Sequence, residues 1–208
     1  MSRFALFAWA KTLHQEDDFK KVSDSHCESE MDAVLSLSGG VTGHAAFTRF
    51  RAGTGGTEVY GPGTALNGLA LTAPSYRATL TSVTKAIERN LATQVSHFGA
   101  VDPCAVSIGV IPPTHFALGG SDPVPLQAVI GGTHGEELFL VGFAGSALTR
   151  TYAVDLHFLI CDNFGVDEHD LYAPGLIPFW ILQHERDPTR YAPFVTLLDL
   201  TTTVAGTF

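Results

Sequence analysis

Acidic residues and histidines concentrate in the last third of the chain, around the run Asp162-Asn163-Phe164-Gly165-Val166-Asp167-Glu168-His169-Asp170. A histidine beside carboxylates can give and take a proton near neutral pH. Loops that follow strand ends often hold reactive groups on a rigid scaffold. We therefore regard the following residues as candidates, the first four as acid–base groups and the last as an anion holder: His157, Asp162, Asp167, His169 and Arg186.

The same run has a structural interpretation that stays open at this point. Acidic residues between a strand and a helix often form turns and N-caps, and Gly165 supplies the backbone freedom that a turn needs. Asp167 or Asp170 would then cap the following helix. The sequence alone does not decide whether His157 and Asp162 are catalytic or structural.

A second candidate site lies in Ile130-Gly131-Gly132-Thr133-His134-Gly135-Glu136-Glu137-Leu138. This segment is similar to the zinc motif of the aspartoacylase and carboxypeptidase-like metallohydrolases. The resemblance implies a hydrolytic zinc site made of His134, Glu137 and His157. Only 23 residues separate the two histidines (157 − 134), which leaves no room for the helices of that family, so an exposed hairpin competes with the zinc interpretation.

The elements that must position these groups begin with a strongly periodic helix. Leu80, Val83, Ile87 and Leu91 follow one another at spacings of three and four, which predicts an amphipathic helix over 74–95. Thr72 is the expected N-cap. Upstream, 2–37 is weakly helical and is expected to stop at Gly39-Gly40, and 44–68 predicts a short helix followed by a long glycine-rich loop.

Short apolar segments separated by glycine and proline predict strands in the second half. The predicted strands cover 106–111, 126–130, 138–143, 152–161 and 194–204, and 176–183 is predicted to be a buried helix. Short connections favour antiparallel pairing with the helices on one face. The predicted fold class is α+β: a single domain over 1–208 with a mostly antiparallel sheet in its C-terminal half and an N-terminal helical extension over 1–45.

Composition narrows the classes of function. A hydrophobic fraction of 45% with 16% charged residues indicates a folded chain. The net charge of −9 disfavours a nucleic-acid partner, because phosphate binding needs a basic surface. Three cysteines without paired spacing predict small buried hydrophobes rather than disulfides. No segment predicts a transmembrane helix, since the apolar start over 4–10 is too short for a span. It also lacks a basic stretch before it, so we expect no cleavable signal, and a protein that is cytoplasmic or delivered by a secretion system.

The run from Asp162 to Asp170, followed by Phe179-Trp180-Ile181-Leu182-Gln183-His184 and Ala192-Pro193-Phe194-Val195-Thr196, resembles the bacterial domain of unknown function family numbered 3289. The resemblance covers about 46–206. It implies a bacterial protein of secretion-system and polymorphic-toxin contexts, with a cognate immunity protein as partner.

Two functional hypotheses follow, in addition to the zinc hydrolase. The first is an antibacterial effector enzyme of hydrolytic type that needs no cofactor, with the acid–base residues named above. The second is a non-catalytic binding or adaptor domain, in which the acidic run is only a hydrogen-bonded turn.

Overall fold

The computed structural model describes residues 16–117, 119–167 and 174–208. It has an α+β fold with a four-stranded mixed sheet, as the sequence predicted. The helices are α1 (Glu16–Phe19), α2 (Asp24–Arg51), α3 (Ala65–Thr72), α4 (Pro74–Phe98), α5 (Val124–Val129) and α6 (Ile177–His184). The strands are β1 (Thr57–Tyr60), β2 (Gly135–Ser146), β3 (Thr151–Phe164) and β4 (Phe194–Thr207).

The sheet has the strand order β1-β4-β3-β2. Strands β2 and β3 are antiparallel, with Phe139 opposite His157. Strand β4 also runs antiparallel to β3, since Phe208, just past its end, donates to the carbonyl of Arg150 just before β3. Strand β1 runs parallel to β4, because Val195 N donates to the Gly56 carbonyl where both strands start. The sheet is therefore antiparallel except for one short edge strand.

The chain divides into two compact units. The first takes in the described residues of Met1–Glu58, Val124–Ile130 and Asp162–Thr196, and the second takes in those of Val59–Pro123, Gly131–Cys161 and Leu197–Phe208.

Aromatic rings form the core of the first unit. Phe50 packs edge-on against Phe179 with ring centroids 4.5 Å apart, and Phe164 stacks on Phe194 at 5.0 Å. Helix α2 supplies Phe50 and packs against α5 and α6. The range of α2 contains two helices that meet at a kink, because Gly40 has the non-helical angles φ 58° and ψ −144°. The predicted helix stop at Gly39-Gly40 is therefore confirmed, and a second helix follows it directly.

Helix α4 provides the buried face of the second unit. Its Tyr76 ring packs edge-on against Phe158 of β3 at 5.2 Å. The helix confirms the sequence prediction, but Thr72 is not its cap, because Thr72 ends α3 and its hydroxyl donates to the Leu69 carbonyl. Instead the carboxylate of buried Asp122 accepts hydrogen bonds from the backbone and hydroxyl of Ser75 at 2.9 and 2.6 Å.

Four other sequence predictions were wrong. Segment 106–111 forms no strand, and its Val110 is 99% exposed. Segment 126–130 lies mostly in α5, since a short apolar run suits a buried helix as well as a strand. The long loop predicted in the latter part of 44–68 contains β1 and the start of α3. Of the cysteines, Cys27 is buried but Cys104 is exposed. The strands over 138–143, 152–161 and 194–204 and the helix over 176–183 are confirmed.

We predict that Gly53→Ala destabilises the protein much more than Gly55→Ala. Both glycines have left-handed φ, 63° and 54°, which costs an alanine about 1 kcal/mol. A Cβ at Gly53 would also overlap the Thr189 carbonyl, whereas one at Gly55 meets open space. The overlap should add about 1–3 kcal/mol to the loss. Chemical denaturation measures both free energies of unfolding, and equal losses would contradict this account of the Gly53 contact.

Candidate functional site

A hydrogen-bonded acid–base pair joins His157 of β3 to Asp199 of β4. His157 Nε2 and Asp199 Oδ1 are 2.8 Å apart, and the side chains are 28% and 34% exposed. Residues of β3 alternate between buried even-numbered positions and more exposed odd-numbered positions, so His157 lies on the open side of its strand. The pair is therefore hydrogen-bonded and still reached by solvent.

Asp199 is positioned through its backbone by the buried side chain of Asn67. The Asn67 amide donates to the Asp199 carbonyl at 2.6 Å and to the Tyr60 carbonyl at 3.3 Å. Asn67 is itself placed by the start of α3, where the Thr64 hydroxyl accepts from the Asn67 N–H as an N-cap. A capped helix thus fixes the segment of β4 that carries the carboxylate.

Two further side chains border the pair on the same face of the sheet. Phe139, directly opposite His157 in β2, has its ring centroid 6.0 Å from the imidazole and is 44% exposed. Asp155, two residues from His157 along β3, accepts a hydrogen bond from the Thr203 hydroxyl at 2.6 Å. The imidazole therefore has an aromatic neighbour in β2 and one aspartate two residues away on its own strand.

The chemistry of this pair follows from which ring nitrogen is bound. A carboxylate only accepts hydrogen bonds, so Asp199 selects the tautomer with the proton on Nε2. The Nδ1 atom then carries the lone pair that can take up a proton. An aspartate in this position also stabilises the imidazolium that forms.

Of the predicted acid–base residues other than His157, Asp162 is buried at one of the even-numbered positions of β3. Its backbone carbonyl accepts a hydrogen bond from the buried Thr196 hydroxyl at 3.1 Å. Asp167 is exposed, and it is not the N-cap of α6, which is Leu176 and makes no side-chain bond. His169, like Asp170, lies outside the described residues.

Arg186 was predicted to hold an anion, and its guanidinium makes several bonds within the first unit. Its Nε donates to Asp24 Oδ1 at 2.6 Å, and Nη2 donates to the carbonyls of Phe19 and Val22 at 3.2 and 2.5 Å. A third nitrogen donates to the Glu185 carbonyl. These bonds hold Arg186 to the start of α2 and to the residues just before it. The role of Arg186 as an anion holder stays a prediction.

The alternative zinc ligands do not come together. The backbone N–H of His134 donates to the carbonyl of Cys161 in β3 at 2.9 Å. His157 lies four residues before Cys161 in β3, about 13 Å away along the strand. Glu137 pairs with Leu159, between these points. Within the described ranges, no three His, Cys, Asp or Glu residues form a group that would hold a metal ion.

Sequence reasoning missed Asp199 and Asn67. A single aspartate interrupts the apolar run of β4, and that interruption is the one local signal for Asp199. Its meaning depends on the pairing of β4 with β3, which joins residues 42 positions apart. Asn67 lies in a segment that was predicted to be loop, and it carried no signal.

Comparisons with known proteins returned no matching family model, curated protein or solved structure. The resemblance to family 3289 therefore rests on the residues quoted for it alone. No helix in the described ranges is both long and apolar enough to cross a membrane.

We predict that Asn67→Ala lowers the free energy of unfolding by about 2 kcal/mol, because two carbonyls each lose a donor. The matched control is Asn163→Ala, which removes the same amide from an exposed position of β3 and should change stability by less than about 0.5 kcal/mol. Urea denaturation measures both values. A loss at Asn67 no larger than that at Asn163 would contradict the positioning role.

Proposed function

We propose that this chain is a hydrolytic enzyme in which His157 acts as general base and Asp199 orients it. The observation that carries the proposal is the 2.8 Å hydrogen bond between His157 Nε2 and Asp199 Oδ1. Both side chains of this pair are partly exposed to solvent. A histidine held by a carboxylate and open to solvent is the usual arrangement for moving a proton in catalysis. His157 is thus a candidate from the sequence that also has the partner this chemistry needs.

In the proposed reaction, His157 Nδ1 takes a proton from a water molecule as that water attacks the substrate. Asp199 keeps its bond to the Nε2 proton throughout and stabilises the positive charge on the ring. The imidazolium then returns its proton to the leaving group. General base catalysis of this kind contributes about 10²–10⁴-fold to a rate.

The setting of this activity comes from the resemblance to family 3289. It favours an antibacterial effector that acts inside a target cell and is neutralised by a cognate immunity protein in the producer. In this proposal Asp162 and Arg186 support the fold. Asp162 is buried, and the Arg186 guanidinium is bonded to Asp24, which favours a structural role for both. Asp167 and His169 remain acid–base candidates from the sequence.

A second function, a non-catalytic binding domain, is favoured by one observation. Strand β2 lies at the edge of the sheet and exposes Phe139, Leu140 and Val141 in succession. Exposed apolar side chains on an edge strand are typical of a surface that binds another protein. Under this hypothesis Phe139→Ser abolishes activity while Asp199→Asn preserves it.

We predict that His157→Gln and Asp199→Asn each reduce toxicity about 100-fold or more, because each removes the proton transfer while keeping the side chain's approximate size. The measurement is the survival of a bacterial host that expresses the chain, in the cytoplasm and separately with periplasmic targeting. Thermal unfolding of the purified variants verifies that they are folded.

The chain offers a matched control for these changes. His44 and Asp32 of α2 form another exposed His–Asp pair with the same 2.8 Å separation, so His44→Gln and Asp32→Asn should leave toxicity unchanged. The proposal fails if the wild-type chain is harmless in both compartments, or if folded His157 and Asp199 variants kill as efficiently as the wild type.

A further inference from the structure

Glu136 of β2 lies on the helix-covered side of the sheet. It pairs with Ile160, one of the buried even-numbered residues of β3. Thr114 donates two hydrogen bonds to the Glu136 carboxylate. Its backbone N–H donates to Oε2 at 2.5 Å, and its hydroxyl donates to Oε1 at 3.1 Å. The motif that resembled a zinc site thus places Glu136, rather than the predicted Glu137, in an ordered polar cluster.

Two hydroxyl groups from α4 extend this cluster. Thr79 Oγ1 lies 3.0 Å from Thr114 Oγ1, and both side chains are buried. Tyr76 lies one helical turn before Thr79 on the same buried face and is only 1% exposed. Its hydroxyl has no hydrogen-bond partner within the described residues. A buried hydroxyl without a partner costs free energy, so an unpaired one on the helix face that carries Thr79, one turn away, suggests a ligand.

The charge of Glu136 also affects the ionisation of Tyr76. Burial and the charge of Glu136 together raise the pKa of Tyr76 to about 12. The phenol therefore stays neutral at physiological pH and offers oxygen lone pairs rather than a second negative charge.

The charge of the cluster is not balanced by any ion pair in the described part of the chain. The bonds to Glu136 come from neutral groups of Thr114, and none of the salt bridges between described residues involves this carboxylate. A part-buried carboxylate with only neutral partners favours a positive ligand. Carboxylate and hydroxyl oxygens are the ligands of hard cations, and a single carboxylate suits a monovalent ion better than calcium, which usually takes several.

We propose that Glu136, Thr114, Thr79 and Tyr76 form a binding site for a small monovalent cation of the sodium, potassium and ammonium class. The bound cation neutralises Glu136 and accepts the Tyr76 oxygen as a ligand, and it ties α4 to β2 and the segment that carries Thr114. This site is independent of His157 and of the proposed hydrolysis.

The test is the melting temperature of the full chain in the chlorides of sodium, potassium and ammonium, each compared with tetramethylammonium chloride at equal ionic strength. The large cation reproduces screening but does not fit a site of hydroxyl and carboxylate oxygens. We expect a saturable rise of about 3 °C or more once the small cation exceeds its Kd about tenfold.

Three variants identify the site. Glu136→Gln should abolish the cation-dependent rise, and Tyr76→Phe, which keeps the packing on Phe158, should reduce it. Glu137→Gln removes the adjacent exposed carboxylate and should leave the rise intact. The proposal is overturned if no small cation raises the melting temperature beyond tetramethylammonium, which is the result expected if Tyr76 bonds only to water. It is equally overturned if the rise persists in both Glu136→Gln and Tyr76→Phe.

Discussion

Successive side chains of an extended strand point to opposite faces, and β3 obeys this rule over fourteen residues, with every even-numbered position buried. The rule assigns each polar group of the strand to one of two environments. It places Asp162 among buried residues and His157 on the more open side. It also explains why Glu136 and Glu137, adjacent in β2, have such different surroundings. A one-residue slip in register would exchange these roles.

The candidate site depends on contacts that are distant in sequence. Asp199 meets His157 only because β4 pairs beside β3, and the segment around Asp199 is held by Asn67 from the start of α3. Three elements that are far apart along the chain must therefore fold before the pair exists. The proposed activity should be lost when this region is displaced only slightly, because proton transfer by a hydrogen-bonded His–Asp pair tolerates little displacement.

Much of the second half of the fold was predictable because α4 and β3 are strongly periodic. The apolar stripe of α4 and the alternation of β3 each persist for many residues. The segment 126–130 was mispredicted because a short, mostly apolar run fits a helix and a strand equally well. The site was half predictable: His157 stood out beside an acidic run, whereas its partner Asp199 required the strand pairing. Arg186 stood out for its charge. Its bonds to Asp24 and to two carbonyls could not be predicted, because these partners are distant in the sequence.

The central claim is that His157 and Asp199 work as one catalytic unit, and a double-mutant cycle on the rate of killing tests it most directly. The rates of the wild type, His157→Gln, Asp199→Asn and the double variant are compared at equal expression of folded protein. If the pair acts as a unit, the double variant is no slower than His157→Gln alone, since Asp199 acts only through His157. Losses that multiply in the double variant would contradict the account.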